Sequence, residues 1–370
     1  MQTIKIVVCG DFRSAQPEKI VLSKEISELF NNADLCICNF EAPVKVTNAK
    51  PIKKSGPALD QSQNSPEFLI KSGFNAILLA NNHIMDYGQN GLDATIESFK
   101  DVVVVGAGKA KEAFSVKYID IKGKRIGLLS LVQKEFGVIE NINDNGFGAA
   151  WINSIDIPKI VIEARQKCDY LLVLPHAGVE HTIAPLPEWR NLYKRFIEWG
   201  ADCVIASHPH CPQGWETYNG KPIYYSLGDF YFDELTYDDM WYKSIITEIS
   251  IDTETITKEH FICFDDKTGI ICIDNSTRMK EWIERANMLL SNDIEYQDYI
   301  NKMCVSHYSG IRYGILRGVC GVSLKLRLKY IIRLLGCMLL NNSDEMYLLN
   351  TFQCESHRWV VENYLKNKYK

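Results

Sequence analysis

The sequence lacks three features that would each point to a definite class of protein. It has no C-x-x-C pair, no G-x-x-x-x-G-K-[ST] loop and no apolar run close to the roughly 20 residues that span a bilayer. The missing motifs argue against a cysteine-rich zinc or redox site, a P-loop nucleotide site and a transmembrane helix. A ligase that consumes a nucleotide is therefore not favoured.

The sequence also lacks a basic excess and a secretory leader. Its net charge is −5 and its pI is near 6.0, whereas nucleic-acid binders usually carry a strong positive balance, so we predict no nucleic-acid partner. The apolar run before Gly10 is only four residues long, too short for the core of a signal peptide. Cysteines such as Cys9 and Cys203 lie inside apolar runs, which indicates buried free thiols and a reducing compartment. We therefore predict a cytoplasmic protein.

The chain has 370 residues, of which 46% are hydrophobic, enough for a sizeable core. Strand-forming runs alternate with helical patterns over its first two-thirds, and this alternation predicts an α/β fold with a covered, largely parallel sheet. The predicted strands are 4–9, 34–38, 76–80, 102–105, 124–131, 170–174, 203–206 and 222–226, with alternating terminal strands over 247–264. The predicted helices are 17–31, 65–72, 90–100, 155–167 and 187–199.

From about Thr277 the pattern turns helical, which predicts a main domain over 1–265 and a helical C-terminal extension over 277–370. The predicted helices of the extension are 279–290, 324–340 and 345–366. Six Lys or Arg residues and no acid lie in 311–340. This cationic stretch has two interpretations: a surface in weak peripheral contact with anionic lipid or a polyanionic product, or a helix packed on the main domain with solvated basic edges.

Five short polar islands each follow a strand-like run. They are Gly10-Asp11, Asn39-Phe40-Glu41, Asn81-Asn82-His83, His176-Ala177-Gly178-Val179-Glu180-His181 and His208-Pro209-His210. Functional groups in an open α/β sheet gather beyond the carboxyl ends of the strands, so we expect these islands to converge in one crevice. The sequence therefore predicts a polar, metal-binding active site.

Asp11 and Glu41 are the carboxylates at the ends of the first two strands. Neighbouring parallel strands lie about 5 Å apart, so both side chains can face the same crevice. Two carboxylates held close together repel unless they share a proton or a cation, and a divalent ion satisfies both. A Gly-Asp turn is also common without any ligand, so a purely structural role for Asp11 stays open.

Asn82 and His83 follow a strand with the pattern of one buried on both faces. An amide oxygen can bind a cation, and an imidazole can exchange a proton near neutral pH. Asp86 is placed to orient His83 through its second ring nitrogen. The alternative is a turn residue followed by a hydrogen-bonded structural histidine.

Three histidines end two consecutive strands: His176 ends one, and His208 and His210 end the next. Pro209 is expected to hold the chain extended, so that both flanking imidazoles can reach adjacent cations. A single buried histidine is usually structural, but three at neighbouring strand ends favour a metal site.

In this order, the islands resemble the CapA-type family of capsule (poly-γ-glutamate) biosynthesis proteins, itself related to the calcineurin-like metallophosphatases. The resemblance covers about residues 4–232, and its longest island is LANNHIMDYG. The matching residues are Gly10-Asp11, Asn39-Phe40-Glu41-x-Pro43, Ala80-Asn81-Asn82-His83-x-x-Asp86-Tyr87-Gly88, His176-x-Gly178-x-Glu180, His208-Pro209-His210 with Gln213, and Tyr225-Ser226-Leu227-Gly228-Asp229-Phe230.

The resemblance implies a four-layer α/β/β/α metallophosphatase-like sandwich that holds one or two divalent ions, from among Mn, Fe, Zn and Mg. It implies that Asp11 and His210 hold one ion and that Glu41 bridges. The implied ligands of the second ion are Asn82, His176 and His208. The implied catalytic residues are His83, as proton donor to the leaving group, and Asp86. We assign substrate binding to Arg13, Asn39, Asn81, Glu180 and Gln213.

Two positions depart from the family pattern. The related phosphatases have Asp-x-His at the first strand, whereas Arg13 stands at the third position here, so the first ion lacks an imidazole. A site with three ligands binds more weakly, which leaves one-metal and metal-free versions open. Arg13 could instead hold an anionic group of the substrate. Asp229 stands where the related proteins commonly have asparagine.

The polar islands and the family resemblance favour a metal-dependent hydrolase of a phosphoester or amide bond in capsule or cell-surface polymer biosynthesis. The alternative is a non-catalytic polymer-binding or assembly subunit of a capsule synthesis machine. The expected partners are an anionic polymer or a phosphorylated small substrate, together with other capsule-synthesis proteins.

Overall fold

The computed structural model describes residues 3–233, 239–252, 255–320 and 342–368. The strands are β1 (Ile4–Arg13), β2 (Val21–Leu22), β3 (Leu35–Phe40), β4 (Ala76–Leu78), β5 (Val103–Val105), β6 (Ala107–Lys109), β7 (Lys117–Ile121), β8 (Lys124–Val132), β9 (Val138–Ile139), β10 (Phe147–Ala150), β11 (Tyr170–His176), β12 (Cys203–Ile205), β13 (Trp215–Tyr218), β14 (Lys221–Tyr224), β15 (Asp229–Phe232), β16 (Lys243–Ile251), β17 (Thr255–Asp265) and β18 (Ile270–Ile273). The helices are α1 (Lys24–Asn31), α2 (Ser65–Lys71), α3 (Gly88–Ser98), α4 (Ala110–Ala113), α5 (Ile157–Arg165), α6 (Pro187–Trp199), α7 (Thr277–Ser291), α8 (Asp293–Cys320), α9 (Asn342–Gln353) and α10 (Glu355–Lys368), with 3₁₀ turns at Pro17–Lys19 and Asp239–Tyr242.

Two large sheets carry the fold. The first has the order β2-β18-β17-β16-β1-β3-β4-β5, with β15 also paired to β1; the second has the order β13-β14-β12-β11-β8-β7, and β6, β10 and β9 form a small third sheet. The predicted parallel pairing is confirmed for β1-β3-β4-β5 and for β8-β11-β12-β14. The terminal strands β16, β17 and β18 pair antiparallel: β16 lies beside β1, and β16, β17 and β18 follow one another through short connections.

Side chains alternate between two cores on either face of the first sheet. In β1, Ile6 joins the buried cluster that contains Leu128 of the second sheet, whereas Val7 joins the cluster that contains Leu92 of α3. On the outer face of the second sheet, Phe196 of α6 belongs to a third cluster. The two sheets therefore pack face to face between helices, which is the predicted four-layer arrangement.

The helices after Thr277 pack on the helical side of the second sheet. Ile300 of α8 and Val360 of α10 share a cluster with Trp189 of α6. The predicted helix 279–290 is confirmed, 345–366 is divided into α9 and α10 at Cys354, and 324–340 lies outside the described residues. The domain boundary between 265 and 277 stays a prediction. Within the described residues, no helix is both long enough and apolar enough to cross a bilayer.

Two further helix predictions need correction. Residues 17–31 do not form one helix, because β2 pairs with β18 and α1 begins only after Ser23, whose Oγ accepts from the Ile26 N–H at 3.5 Å. Helix α8 was not predicted, although Asn292 before it accepts from the backbone N–H groups of Ile294 and Glu295 at 3.2 and 3.3 Å. Such an asparagine is a usual start signal for a helix.

Candidate metal centre

The carboxyl ends of strands from both sheets meet at one place in the molecule. Strands β1, β3 and β4 bring polar side chains from the first sheet, and β11 and β12 bring them from the second. The six residues predicted as metal ligands lie together there, each no more than 5% exposed: Asp11, Glu41, Asn82, His176, His208 and His210. Whether they hold metal stays a prediction.

Asp11 reaches this place because of a close backbone approach at Gly10. The chain does not turn at Gly10, as the sequence suggested, but continues in β1 as far as Arg13. A Cβ at Gly10 would lie 1.7 Å from the Gly228 carbonyl oxygen, which accepts from the Asp11 N–H at 3.1 Å. Only glycine permits this approach, and it places Asp11 beside Asp229 in the register of β1 and β15.

Several residues around the site have left-handed backbone conformations. The φ angles of Ala42, His208 and His210 are +91°, +100° and +55°. The expectation that Pro209 keeps the chain extended is therefore wrong at both flanking histidines. Tertiary contacts hold them instead: the His208 N–H donates to Asp11 Oδ2 at 3.0 Å. Strain of this kind persists where the surroundings fix the conformation, and it is concentrated at functional sites.

Glu41 lies at the centre of the cluster as a buried carboxylate. Its Oε1 is 3.6 Å from His176 Nε2 and 3.7 Å from His210 Nε2, and within the described part of the chain neither oxygen has a hydrogen-bond partner. A buried carboxylate without partners is costly unless a cation is paired with it. The site therefore fits a divalent ion, which would bind this carboxylate and the imidazoles around it.

Two of the potential ligand sets share Glu41. One set is Asp11, Glu41 and His210, and the other is Glu41, His176 and His208; within each set the atoms lie within 4.8 Å of one another. Asn82 Oδ1 adds an oxygen 3.0 Å from His176 Nε2. These are the sets implied by the family resemblance. Mixed carboxylate and imidazole donors suit a divalent transition metal.

The buried charges shift one another's protonation. Burial opposes ionisation of Asp11, but the charges of His176 and His210 and the Asn39 amide lower the pKa of Asp11 to about 2. Burial likewise opposes the charged form of His176, but Glu41 and Asp11 raise its pKa to about 9. Burial together with these charged histidines lowers the pKa of His208. Asp11 thus stays ionised and able to bind a cation.

Asp229 and Gln133 orient two of the imidazoles. Asp229 Oδ1 lies 2.9 Å from His210 Nδ1, which directs His210 Nε2 towards Glu41. Burial raises the pKa of Asp229 to about 7 despite the His210 charge. Gln133 Nε2 is 2.9 Å from His208 Nε2. Sequence reasoning missed Gln133, although it follows the buried strand β8 just as the other islands follow theirs.

His83 and Asp86, the predicted catalytic pair, lie in contact beside the cluster. His83 Nδ1 is 2.6 Å from Asp86 Oδ2, so Asp86 orients the imidazole as expected from the spacing. Lys54 was not predicted: its Nζ is 2.5 Å from Asp86 Oδ1 and 3.2 Å from His83 Nδ1. It comes from an irregular loop with no preceding strand, so the sequence carries no signal for it.

The five predicted substrate-binding residues lie in different surroundings. Asn39 Nδ2 donates to Asp11 Oδ1 at 2.6 Å, and Asn81 Nδ2 donates to Asn39 Oδ1 at 3.3 Å, so both amides support the cluster. Glu180 is exposed and close to His208 and His210. Arg13 instead pairs with Asp233 at 2.9 Å, and Gln213 donates to the Thr182 carbonyl at 2.8 Å. Their roles towards a substrate stay predictions.

A cavity of about 380 Å³ opens beside the cluster. Asn82, His83 and His208 line it from the strand ends. The loops that carry Lys54, Gln133 and Gly178 and the helices α8, α9 and α10 form its other walls. This volume is in the range of pockets for small molecules.

Residues 6–234 match the bacterial capsule synthesis protein family PGA_cap. The chain belongs to this family. It is 30% identical over 221 residues to the capsule biosynthesis protein CapA of Bacillus anthracis, a match that covers 57% of this chain and 53% of that protein. It is 32% identical over 225 residues to the PGA biosynthesis protein CapA of Bacillus subtilis (strain 168), covering 56% of each. The match thus spans about half the length of these relatives.

Among solved structures, the chain is similar to a 5'-nucleotidase from Candida albicans SC5314. The sequences are 12% identical, the TM-score is 0.44, and the match covers 72% of this chain and 53% of the other. The four-layer fold is defined by the chain's own sheets and cores. Helices α7 to α10 lie beyond the residues that match the family.

Proposed function

We propose that this member of the capsule synthesis family is a metal-dependent hydrolase of a phosphoester or amide bond in capsule or cell-surface polymer biosynthesis. The observation that carries the proposal is the buried Glu41 carboxylate, with two imidazoles within 4 Å and, in the described chain, no hydrogen-bond partner. Family membership supports the biological setting.

The residues take definite roles in this proposal. Asp11, Glu41 and His210 would hold one divalent ion, and Glu41, Asn82, His176 and His208 a second. Such ions, when bound, polarise an oxygen of the scissile group and lower the pKa of a water molecule. Asn39 holds Asp11 in place through its 2.6 Å hydrogen bond.

His83 would donate the proton to the leaving group. It lines the cavity next to Asn82, and Asp86 fixes its Nδ1 side. A general acid held by a carboxylate in this way is a recurrent arrangement in hydrolases. The Lys54 ammonium pairs with the Asp86 carboxylate and offsets its charge inside the protein.

A second function is favoured by one observation. Arg13 occupies the place of a metal-binding imidazole and is paired with Asp233, so the set with Asp11 has a single histidine. A weakly loaded centre would suit a non-catalytic subunit that binds an anionic polymer or a phosphorylated small molecule and contacts other capsule-synthesis proteins. Weak membrane contact and a cytoplasmic location stay predictions; the cationic residues at 325, 327, 329 and 333 lie outside the described residues.

Elemental analysis and a turnover assay test the proposal together. The full chain, purified without chelator, should contain bound divalent metal and hydrolyse bis(p-nitrophenyl) phosphate in added manganese. His208→Ala should lose metal and lower kcat/KM by about a hundredfold or more, because it removes a ligand. The control is His260→Ala, whose imidazole pairs with Glu248 away from the centre.

The outcomes separate the two functions. Metal and turnover that both survive His208→Ala would refute the hydrolase proposal. If the wild type binds metal and His208→Ala loses it, but the wild type shows no turnover, the result would favour the binding subunit.

A further inference from the structure

One wall of the cavity beside the metal centre comes from helices outside the family match. The match ends at residue 234, whereas α8, α9 and α10 begin at residues 293, 342 and 355. The cavity-lining residues of these helices are His307, Ile311, Tyr347, Asn350, Ser356, His357 and Val360. A part of this chain that lies outside the family match therefore shapes the space next to the metal ligands.

The start of α10 is bonded directly to the loops after the strands. Glu355 Oε2 accepts from the Lys134 N–H at 2.7 Å. Ser356 Oγ lies 2.8 Å from Gln133 Oε1 and 2.6 Å from the Gly178 carbonyl oxygen, and both α10 residues are no more than 2% exposed. Because these polar contacts are buried, the wall has a fixed position relative to the metal centre, as in a preformed binding pocket.

The chemistry of this wall differs from that of the opposite side. Among the described lining residues, the ones from α8, α9 and α10 include no Lys, Arg, Asp or Glu, whereas Lys54, Glu135 and Glu180 line the cavity from loops of the main domain. The helical wall is therefore built from amide, hydroxyl and imidazole groups next to aliphatic side chains. Within the described residues it offers many hydrogen-bonding groups and no Lys or Arg to pair with a carboxylate.

Two side chains of this wall have unused hydrogen-bonding atoms. Asn350 Oδ1 and His357 Nδ1 are both buried, and neither has a partner in the described residues; Asn350 as a whole is 7% exposed. Buried polar atoms of this kind are costly and are normally satisfied by protein, water or ligand. Both residues line the cavity, and a turn of either side chain would present its unpaired atom to a hydrogen-bonding ligand there.

We propose that Asn350 and His357 form a specificity-determining subsite for the neutral, hydrogen-bonding body of a small substrate whose anionic end meets the metal centre. The body carries a hydroxyl or amide group, which can both donate and accept. This inference rests on the proposed function and narrows its substrate: the cavity of about 380 Å³ takes one small molecule, and its helical wall suits an uncharged moiety better than a chain of carboxylates.

Non-hydrolysable phosphonates provide the test. Three series of increasing chain length, n-alkyl, ω-hydroxyalkyl and ω-carboxyalkyl phosphonates, are titrated calorimetrically into the manganese-loaded full chain, with inorganic phosphate as the probe of the metal centre alone. At one chain length, the hydroxyl compound should bind about tenfold more tightly than its alkyl and carboxyl counterparts. Asn350→Ala and His357→Ala should each reduce this preference to about twofold or less, with the affinity for inorganic phosphate unchanged.

Arg358→Ala is the matched control, because Arg358 is the exposed neighbour of His357 on the same helix and pairs only weakly with Glu362 at 3.9 Å. It should keep the full hydroxyl preference. Three outcomes would overturn the inference: equal binding of the alkyl and hydroxyl compounds, a preference for the carboxyl series, or a hydroxyl preference that survives both variants. In each case, binding of inorganic phosphate would still support the metal centre. Failure of inorganic phosphate to bind the metal-loaded wild type would instead refute the proposed centre, and the subsite with it.

Discussion

At the scale of single residues, Glu41 is the group on which the metal centre depends most. It is fully buried, it belongs to both potential ligand sets, and the described chain gives its oxygens no hydrogen bond. Its neighbour Ala42 has a φ of +91°, which an L-residue adopts only at a cost. Local backbone strain and a buried carboxylate without hydrogen bonds at the same place indicate a site arranged for a cation.

Replacing this carboxylate tests that interpretation. Glu41→Gln keeps the volume but removes the charge, so we expect bound metal to fall below about a tenth of the wild-type content, because an amide is a much weaker ligand than a carboxylate. Inductively coupled plasma analysis of protein purified without chelator measures the bound metal.

Glu180→Gln is the matched control for this change. Glu180 is an exposed carboxylate in the third potential set, with His208 and His210. We expect this variant to keep the metal. Equal loss of metal from both variants would mean that no single buried carboxylate dominates the centre.

At the scale of secondary-structure elements, α10 connects the helical extension to the metal ligands. Ser356 contacts Gln133, and Gln133 in turn contacts His208, so the helix is two hydrogen bonds away from a potential ligand. Trp189 of α6 also donates to Ser356 Oγ at 2.9 Å. One hydroxyl thus joins a helix of the extension, a helix of the main domain and a loop of the centre.

Ser356→Ala should therefore affect both stability and metal binding. Loss of the hydroxyl leaves buried partners unsatisfied, and we expect the free energy of unfolding to fall by about 1–3 kcal/mol. Because Gln133 loses one of its supports, the affinity for manganese should fall by about tenfold. Urea titration and calorimetry measure the two effects.

The control for this prediction is Ser309→Ala in α8. Ser309 is exposed, and its hydroxyl bonds only within its own helix, to the Ser306 carbonyl. We expect nearly wild-type stability and metal affinity. A stability loss at Ser356 without any change in metal affinity would show that α10 supports the fold but not the centre.

The two sheets are also held together at the end opposite the metal centre, by an ion pair between elements. Asp34, just before β3, lies 2.7 Å from Lys122, which joins β7 to β8 in the second sheet. Although burial works against it, the Lys122 ammonium and the Lys5 N–H lower the pKa of Asp34 in the folded protein. The folded state therefore binds fewer protons than the unfolded state in the acidic range.

This linkage fixes the sign of a pH effect. The stabilisation from Asp34 is complete above its unfolded pKa of about 3.9 and is lost as the pH falls through the lower folded pKa. Asp34→Asn should cost about 0.5–1 kcal/mol at pH 7, since the pair is partly screened by solvent, and nothing at about pH 2. Thermal unfolding between about pH 2 and pH 7 measures the stability difference between the wild type and Asp34→Asn. Asp101→Asn, at an exposed position, is the control. A stability difference that does not change with pH would contradict the linkage.

At the scale of the whole molecule, the metal centre joins the two halves of the sandwich. Asp11, Glu41 and Asn82 come from the first sheet, and His176, His208 and His210 come from the second. A cation between them would hold both sheets at the carboxyl ends of their strands. Metal binding and global stability should therefore be coupled.

Removal of metal tests this coupling. With manganese at about a hundred times its dissociation constant, we expect the wild type to gain about 2.7 kcal/mol over the chelated protein. Thermal unfolding in manganese and in chelator measures the gain. Glu41→Gln should gain little stability from manganese. A gain equal to that of the wild type would place the stabilising ion elsewhere.

Much of the fold and of the centre follows from local sequence pattern. The apolar runs that became β1, β3, β4, β8, β11 and β12 have strand length and strand composition, and the helices between them have helical periods. Because parallel strands of one sheet direct their carboxyl ends to the same edge, Asp11 could be predicted beside Glu41, and His176 beside His208. Packing of the two sheets brings these two pairs together.

Other features depend on which distant segments meet, and local pattern does not determine that. The antiparallel insertion of β16 beside β1, the loop that brings Lys54 to Asp86, and the left-handed conformations of His208 and His210 all arise from tertiary contacts. So does the helical wall: residues 350–357 are far from the islands in sequence and form part of the cavity only because α10 docks on Gln133 and Gly178. Local periodicity and turn chemistry set most of the strands and helices and the polar residues at their ends, because these signals act between near neighbours in the chain. Packing set the shape of the pocket around them, because burial and hydrogen bonding act between segments brought together by the fold.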